Sequence, residues 1–297
     1  MQRDRITEDI YVFTSDFYAQ VNAGVVLASE GIVVIDTLPF PEETEGIVSL
    51  VREEAEGRPL YIIFTHYHAD HTFGACLFPD AVVIAHALCR QRLEERGEQA
   101  LREAKAQEPS LARLTLRLPD VLVEAGDLVL RLGNKTLHIF PAPGHSADGL
   151  AVYVREDRVL FAGDVVMPIP YIVDGDVDQM TATLEHLRGF SIETLVPGHG
   201  EPILRGEVPD VIQGHLNYLN TIVREVRRYL QQGKPQEALR EIDVESCGIP
   251  RIALNGLAPQ LHRRNLVALY QRLSAEAPPA RRGAGAKSER RPASRTS

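Results

Sequence analysis

Residues 60–71 read LYIIFTHYHADH, an apolar run that passes directly into a cluster of histidine and aspartate. The apolar half is typical of a buried β-strand, because it is short and rich in β-branched and aromatic residues. The polar half places His66, His68, Asp70 and His71 within six residues. A single histidine is usually structural, but packing does not explain this density. The stretch therefore predicts a strand that carries a metal-binding loop at its carboxyl end.

The spacing of these four side chains indicates two neighbouring binding points. His66 and His68 project from one side of the departing chain, whereas Asp70 and His71 lie one turn further on. Imidazole and carboxylate ligands without thiolate suit Zn²⁺, with Mn²⁺ and Fe²⁺ as alternatives. Four ligands do not complete two sites, so distant loops must supply the others. Candidates that each follow a glycine are His145, Asp164 and His199.

Short apolar segments elsewhere predict alternating strands and helices, followed by a helical C-terminal part. The predicted strands are residues 9–15, 21–28, 32–36, 60–64, 81–85, 128–132, 136–140, 150–154, 159–162 and 194–196. The predicted helices are residues 41–56, 86–107, 178–188, 211–231, 235–242 and 259–275. Residues 32–36 and 159–164 are both apolar and end in aspartate, which hints at two similar halves.

The ordered set of these motifs resembles the metallo-β-lactamase fold superfamily over roughly residues 8–205. Asp36, at the end of its strand, is similar to the first motif of that family. The resemblance implies the α/β (α+β) class and an αββα four-layer sandwich, in which helices flank two mixed β-sheets, with a helical C-terminal extension. The expected divisions are a metal-hydrolase domain at 1–205, a helical extension at 206–275 and a disordered basic tail at 276–297.

The resemblance also implies a role for each motif residue. Asp164 would bridge two metals, and Asp36 would orient the His66 loop without binding metal. The expected cofactor is two Zn²⁺ per chain, with iron or manganese as alternatives. The implied ligands are His66, His68 and His145 for the first metal and Asp70, His71 and His199 for the second.

The chemistry implied by this metal set is hydrolysis. Two divalent cations ~3.5–4 Å apart share a water and lower its pKa from ~15.7 toward 7. The resulting hydroxide attacks a carbonyl or phosphorus whose oxygen one metal polarises. Asp70 and Asp164 are the catalytic candidates, because Asp70 can take the proton of the water and Asp164 holds both metals. We expect a dinuclear zinc hydrolase of a small ester, thioester or lactone.

Two other activities fit the same ligands: a phosphodiesterase with this dinuclear core and a mononuclear iron enzyme similar to persulfide dioxygenases. An aspartate at Asp164 resembles glyoxalase II, lactonases and phosphodiesterases more than several β-lactamases. Only 34 residues separate Asp164 from His199, which leaves no room for the domain that RNA-processing members insert there. Three arginines on one predicted helix face suggest either a thiol-cofactor clamp or, preferably, a solvated basic face. They are Arg224, Arg227 and Arg228.

The stretch after Asp164, residues 167–178, reads MPIPYIVDGDVD and supports two interpretations. In the first it is a substrate loop, in which the Tyr171 hydroxyl donates to the substrate oxygen. In the second it is a rigid connection that half-buries Tyr171. Asp148 also has two interpretations: it either supports the metal ligands or simply begins the next strand.

Charge and composition limit the partners. The formal net charge is −9, and six basic and two acidic residues in 276–297 leave −13 for residues 1–275. An acidic body argues against nucleic acid but admits a small anionic substrate at a positive metal site. No apolar run approaches the ~20 residues of a membrane span, and no secretory signal is visible. We expect a cytoplasmic protein with a small-molecule substrate, no nucleic-acid or membrane partner, and an open oligomeric state that includes a homodimer.

Overall fold

The computed structural model describes residues 1–276, which form two β-sheets. The first sheet follows chain order and contains β1 (Gln2–Arg5), β2 (Ile10–Thr14), β3 (Asn22–Ala28), β4 (Gly31–Ile35), β5 (Leu60–Ile63), β6 (Val82–His86) and β7 (Val121–Val123). The second contains β8 (Leu128–Leu132), β9 (Lys135–Pro141), β10 (Leu150–Val154), β11 (Val159–Gly163), β12 (Thr194–Pro197) and β13 (Ile203–Leu204). Its spatial order is β13-β12-β11-β10-β9-β8.

Both sheets are mixed, as the resemblance implies. In the first, β1 to β4 pair antiparallel and β4 to β7 pair parallel. In the second, β11 and β12 form the single parallel pair among the described strands. The β4 segment GIVVI is buried at every position, because a strand inside a covered sheet meets apolar layers on both faces.

Helices cover the outer face of each sheet. The helices within the described residues are α1 (Pro41–Glu54), α2 (Ala69–Thr72), α3 (Ala87–Arg92), α4 (Glu98–Gln107), α5 (Val177–Leu187), α6 (Val208–Gln231), α7 (Ala253–Gly256) and α8 (Ala258–Glu276). Helix α1 packs on the first sheet, whereas α5, α6 and α8 pack on the second. The predicted four-layer αββα sandwich is therefore confirmed.

The two sheets meet in one apolar layer. Val33 and Ile63 of the first sheet share this layer with Val152 and Phe161 of the second. A Cβ atom at Gly24 of β3 would lie 2.2 Å from the Phe161 ring, so only glycine lets the sheets approach this closely. The contact holds the two halves in register near the site.

The C-terminal helices belong to the core of the second half. One apolar cluster joins Leu195 of β12 and Leu184 of α5 to Leu219 of α6 and Leu266 of α8. The division at residue 205 remains a prediction. The predicted disordered tail at 276–297 lies outside the described residues except for Glu276, which ends α8. None of the helices within residues 1–276 combines the length and hydropathy needed to cross a membrane.

The sequence pattern does not predict three of the strands, and two of the predicted helices differ from those in the structure. Strand β1 reads QRDR, and main-chain pairing with β2 holds it at the sheet edge without an apolar face. Strands β7 and β13 have only three and two residues, too few to show alternation. The single helix predicted at 86–107 is interrupted by a π-turn at Leu93–Gly97. The helix predicted at 235–242 is a 3₁₀ turn at Gln236–Glu241.

An ion-pair cluster joins the two sheets at the edge opposite the predicted metal ligands. The buried Lys135 Nζ lies 2.9 Å from Asp9 Oδ2 and 2.8 Å from Asp157 Oδ2. Asp9 precedes β2 of the first sheet, and Asp157 lies in the β10–β11 turn of the second. Removing one partner of a buried pair leaves an uncompensated charge.

Lys135→Met should therefore lower the free energy of unfolding by about 2–4 kcal/mol, because Asp157 loses its cation. Urea unfolding followed by circular dichroism measures the change. Lys105→Met is the matched control, because Lys105 has no ion-pair partner among residues 1–276; it should change stability by less than about 0.5 kcal/mol. Equal effects of the two substitutions would contradict a structural role for the Lys135 cluster.

Candidate metal centre

The first donor group forms where β5 and β11 end. His66 Nε2 and His145 Nε2 each lie 3.0 Å from His68 Nδ1. Asp164 Oδ2 lies 3.4 Å from His145 Nε2 and 3.8 Å from His66 Nε2. One donor atom from each of these four residues lies within 4.8 Å of all the others. Such a cluster has the size and the donor types to hold one cation.

The second donor group lies on the other side of Asp164. Asp70 Oδ2 lies 3.3 Å from His199 Nε2 and 3.7 Å from His71 Nε2. Asp164 Oδ1 lies 3.2 Å from His71 Nε2, and Asp164 Oδ2 lies 3.4 Å from His199 Nε2. A Cβ atom at Gly198 would lie 1.9 Å from Asp164 Oδ1, so glycine is needed to admit the carboxylate. Asp164 therefore contacts both groups, and its role as a bridge between two metals remains a prediction.

Two atoms of the cluster indicate that a cation belongs there. His71 Nε2 and Asp164 Oδ1 are buried and have no hydrogen-bond partner among the described residues. Buried polar atoms without partners are costly, and bound metal ions satisfy them. The nitrogen and oxygen donors suit Zn²⁺, Mn²⁺ or Fe²⁺. The seven side chains that the sequence singles out thus come together in a set that fits metal ions.

Each imidazole is also held at the ring nitrogen that faces away from the cluster. The pairs are His66 Nδ1 with Thr65 Oγ1 at 3.1 Å, His68 Nε2 with Asp174 Oδ2 at 3.3 Å, His71 Nδ1 with Asp36 Oδ2 at 2.8 Å, His145 Nδ1 with Tyr171 O at 2.8 Å and His199 Nδ1 with Ala19 O at 2.9 Å. Such bonds fix the orientation and tautomer of a metal-binding ring. The rings are consequently oriented by the protein itself.

Asp36 connects the two donor groups through one carboxylate. It accepts hydrogen bonds from His71 Nδ1, from Thr65 N at 2.8 Å and from Thr65 Oγ1 at 2.7 Å. The Thr65 hydroxyl in turn accepts from His66. Asp36 therefore reaches the His66 loop through Thr65, and it also contacts His71 directly.

The C-terminal helices hold the loop that carries Tyr171. The buried Asn265 of α8 donates to Pro170 O at 2.7 Å and accepts from Ile172 N at 3.0 Å. His215 of α6 donates to the Met167 carbonyl at 2.7 Å. The Tyr171 carbonyl, fixed between these bonds, accepts from His145. Sequence reasoning missed Asn265, which has no neighbouring polar signal.

The Tyr171 side chain lines the cleft above the donor groups, half-buried. The Tyr171 ring lies 5.9 Å from the His145 ring, measured between centroids, and the Tyr171 carbonyl accepts from His145 Nδ1. A role for the Tyr171 hydroxyl at the substrate remains a prediction. Asp148 is buried and accepts from Tyr67 N at 2.8 Å, so it supports the His66–His68 segment. Asp174 also escaped the sequence reasoning, although it lies in the stretch interpreted as a substrate loop.

The electrostatics differ between the two groups. Burial lowers the pKa of His66 well below its usual value and that of His145 to about 4, which favours neutral rings ready to bind a cation. Burial also opposes charge on His199, but Asp164 and Asp70 outweigh it and raise the pKa of His199 to about 10. The same negative potential attracts metal cations.

A cleft of about 600 Å³ opens over the donor groups. Its floor contains His68, Asp70, His145, Asp164 and His199. Its walls come from the loop around Phe17, from Met167 and Tyr171, and from α7 and α8. The residues contributed by the two helices and their connection are Leu254, Leu257, Gln260, Leu261 and Arg264.

The comparisons with known proteins agree with this geometry. The sequence profile described as Metallo-beta-lactamase superfamily matches residues 18–199. The chain is 30% identical over 206 residues to "Acyl-coenzyme A thioesterase MBLAC2" of Homo sapiens, covering 61% of this chain and 73% of that protein. It is 26% identical over 219 residues to "Metallo-beta-lactamase type 2" of Bacillus cereus, covering 68% and 77%.

The fold also matches a solved structure of larger size. The sec-alkylsulfatase Pisa1 from Pseudomonas sp. superposes with a TM-score of 0.70 at 16% identity. The match covers 91% of this chain and 50% of Pisa1. At this identity the likeness concerns the fold alone, and it includes most of the C-terminal helices.

Asp36→Asn should weaken zinc binding about 10–100-fold. The amide cannot accept from all three donors, because its nitrogen must face either the Thr65 N–H or the pair formed by the Thr65 hydroxyl and His71. Competition with a chromogenic chelator measures the affinity. Asp127→Asn, which changes the same charge at an exposed pair with His138, is the control and should leave it unchanged. Unaltered affinity in Asp36→Asn would show that Asp36 does not orient the donors.

Proposed function

The chain belongs to the metallo-β-lactamase superfamily, and we propose that it is a dinuclear zinc hydrolase of small acyl thioesters. One observation carries the proposal: two donor groups joined by Asp164 form the floor of a cleft with largely apolar walls. The polar floor suits a reacting carbonyl, and the walls suit an acyl chain. Membership of the superfamily, together with relatives named as a thioesterase and a metallo-β-lactamase, supports a hydrolase. The metal and the substrate belong to the proposal.

The protein residues have separate tasks in this reaction. When bound, two divalent cations supply Lewis acidity for the substrate carbonyl and make a water molecule more acidic. Asp164 holds the two donor groups together at the floor. Asp70 faces the same space and provides a carboxylate that accepts the proton of the attacking water. The outward hydrogen bonds of the five imidazoles fix the donors in advance, which limits reorganisation during the reaction.

The cleft supports an acyl substrate by its size and its lining. Its volume of about 600 Å³ is ordinary for a site that binds small molecules. Phe17, Leu254, Leu257 and Leu261 offer apolar surface, and each methylene group buried there contributes about 0.8 kcal/mol. A relative named as an acyl-coenzyme A thioesterase supports the same choice. Ester, lactone and phosphodiester hydrolysis remain the alternatives that a substrate panel must separate.

Other parts of the sequence prediction stay predictions here. We propose a cytoplasmic location and a small-molecule substrate, with no nucleic-acid or membrane partner. A homodimer is one option for the oligomeric state. Iron or manganese in place of zinc, and a persulfide dioxygenase activity with one iron, are the alternatives for the cofactor.

Activity toward matched substrates tests the proposal. The panel contains an octanoyl thioester of N-acetylcysteamine, nitrophenyl octanoate, a medium-chain lactone and bis(nitrophenyl) phosphate. The thioester should give the highest kcat/KM. Asp164→Asn should lower this value at least about 100-fold, or about 2.7 kcal/mol, because the donor groups lose their shared carboxylate.

Chelation followed by added zinc should abolish and then restore thioester hydrolysis. Asp127→Asn again serves as the control for loss of one carboxylate and should retain full activity. Preference for the phosphodiester would replace the proposed substrate class. Full activity of Asp164→Asn would exclude the dinuclear arrangement.

A further inference from the structure

The cleft contains one cationic side chain besides its histidines. Among the described residues, Arg264 is the only arginine or lysine that lines it. Arg264 is exposed and has no ion-pair or hydrogen-bond partner within residues 1–276. An arginine without a carboxylate at the mouth of a site is available for an anionic ligand.

Helix α8 lines both the cleft and a neighbouring outer groove, and Arg264 belongs to both. Gln260, Leu261 and Arg264 follow helical spacing and therefore share one face. A groove of about 400 Å³ begins at Gln260 and Arg264 and continues along Val267 and Ala268. The loop that holds His145 forms its other side through Val173. Arg264 thus lies where the inner cleft passes into the outer groove.

The two ends of this path differ in charge. The inner end has the polar donor groups at its floor and apolar walls that include Leu254, Leu257 and Leu261. The outer end carries Arg264 and Arg263 on an otherwise acidic protein, since residues 1–275 have a net charge of −13. An anion is repelled by most of this surface and attracted at the outer end. An elongated thioester fits with its acyl chain inside and its thiol half outside.

We propose that Arg264 binds a phosphate group on the thiol half of the substrate, while the acyl chain occupies the inner apolar cleft. This inference rests on the proposed thioesterase function. The planar guanidinium donates two parallel hydrogen bonds to phosphate oxygens, which positions the thiol carrier along the outer groove. Arg264 is a specificity residue and takes no part in bond cleavage.

The arginines that the sequence suggested as a thiol-cofactor clamp lie elsewhere. Arg224 and Arg228 on α6 are 70% and 54% exposed and pair with Glu225. Neither they nor Arg227 line the cleft or the outer groove. All three arginines are exposed and lie on a solvated basic face of α6.

Three octanoyl-length thioesters test the assignment. The first is the neutral octanoyl thioester of N-acetylcysteamine, and the second is S-octanoyl-4′-phosphopantetheine. The third is again an N-acetylcysteamine thioester, but its acyl chain ends in a carboxylate. Arg264→Gln should raise KM for the phosphorylated substrate at least about tenfold, the loss of about 1.4 kcal/mol expected from a charged hydrogen bond. For the phosphorylated substrate, kcat of Arg264→Gln should stay within about twofold of the original value. For the other two substrates, both kcat and KM should stay within about twofold.

Arg263→Gln is the matched control, because Arg263 precedes Arg264 on α8 and lines only the outer groove. It should leave KM within about twofold for all three substrates. Equal effects of the two variants would indicate general attraction and overturn the assignment. An unchanged KM for the phosphorylated substrate in Arg264→Gln, or a larger effect on the acyl-chain carboxylate, would overturn it as well.

Binding of an uncleavable analogue separates this inference from the proposed function. Calorimetry with S-octyl-4′-phosphopantetheine, a thioether, requires no turnover. If binding of this analogue weakens about tenfold in Arg264→Gln, the phosphate site is supported. If in addition no thioester is hydrolysed, only the proposed reaction is overturned. Binding that is independent of Arg264 would overturn the phosphate site whatever the activity.

Discussion

The buried carboxylate of Asp164 is the constraint on which the rest of the structure depends. It lies 3.2–3.8 Å from imidazole nitrogens of His66, His71, His145 and His199. Grouping so many ionisable side chains away from water is costly unless opposite charges and hydrogen bonds compensate. The protein meets this cost with an outward hydrogen bond on every ring and with donors that suit metal cations. The αββα fold serves to bring these groups to one edge, where β4, β5, β11 and β12 end.

The C-terminal helices link the metal centre to the substrate cleft. Asn265 holds the backbone on both sides of Tyr171, and the Tyr171 carbonyl orients His145. Two turns of the same helix α8, together with α7, form the apolar wall and carry Arg264. One element therefore positions a metal donor and shapes the space above it. The extension also shares an apolar core with the second sheet.

The sequence predicted the donors because their signal is local. An apolar strand that ends in histidine and aspartate identifies His66, His68, Asp70 and His71 without knowledge of the fold. The glycine-flanked His145, Asp164 and His199 follow from the same pattern, and the resemblance to the superfamily gave their grouping. The order of apolar segments predicted most strands and helices, and the resemblance to the superfamily implied their arrangement in αββα layers.

The residues that escaped prediction act through contacts between distant segments. Asn265 is a single asparagine in a helix, and only the folded chain shows that it spans Pro170 and Ile172. Arg264 looks like any exposed arginine until α8 is placed over the cleft. Strand β1 is charged and stabilised by main-chain pairing, so its sequence has no apolar period to detect.

Metal content tests the central claim most directly. The full chain, purified without a chelating tag and without added metal, can be analysed for metals and protein together by elemental analysis. We expect about two zinc ions per chain, and fewer than two in Asp164→Asn. About one iron per chain, with no second metal taken up on addition of zinc, would contradict a dinuclear hydrolase and favour the mononuclear dioxygenase.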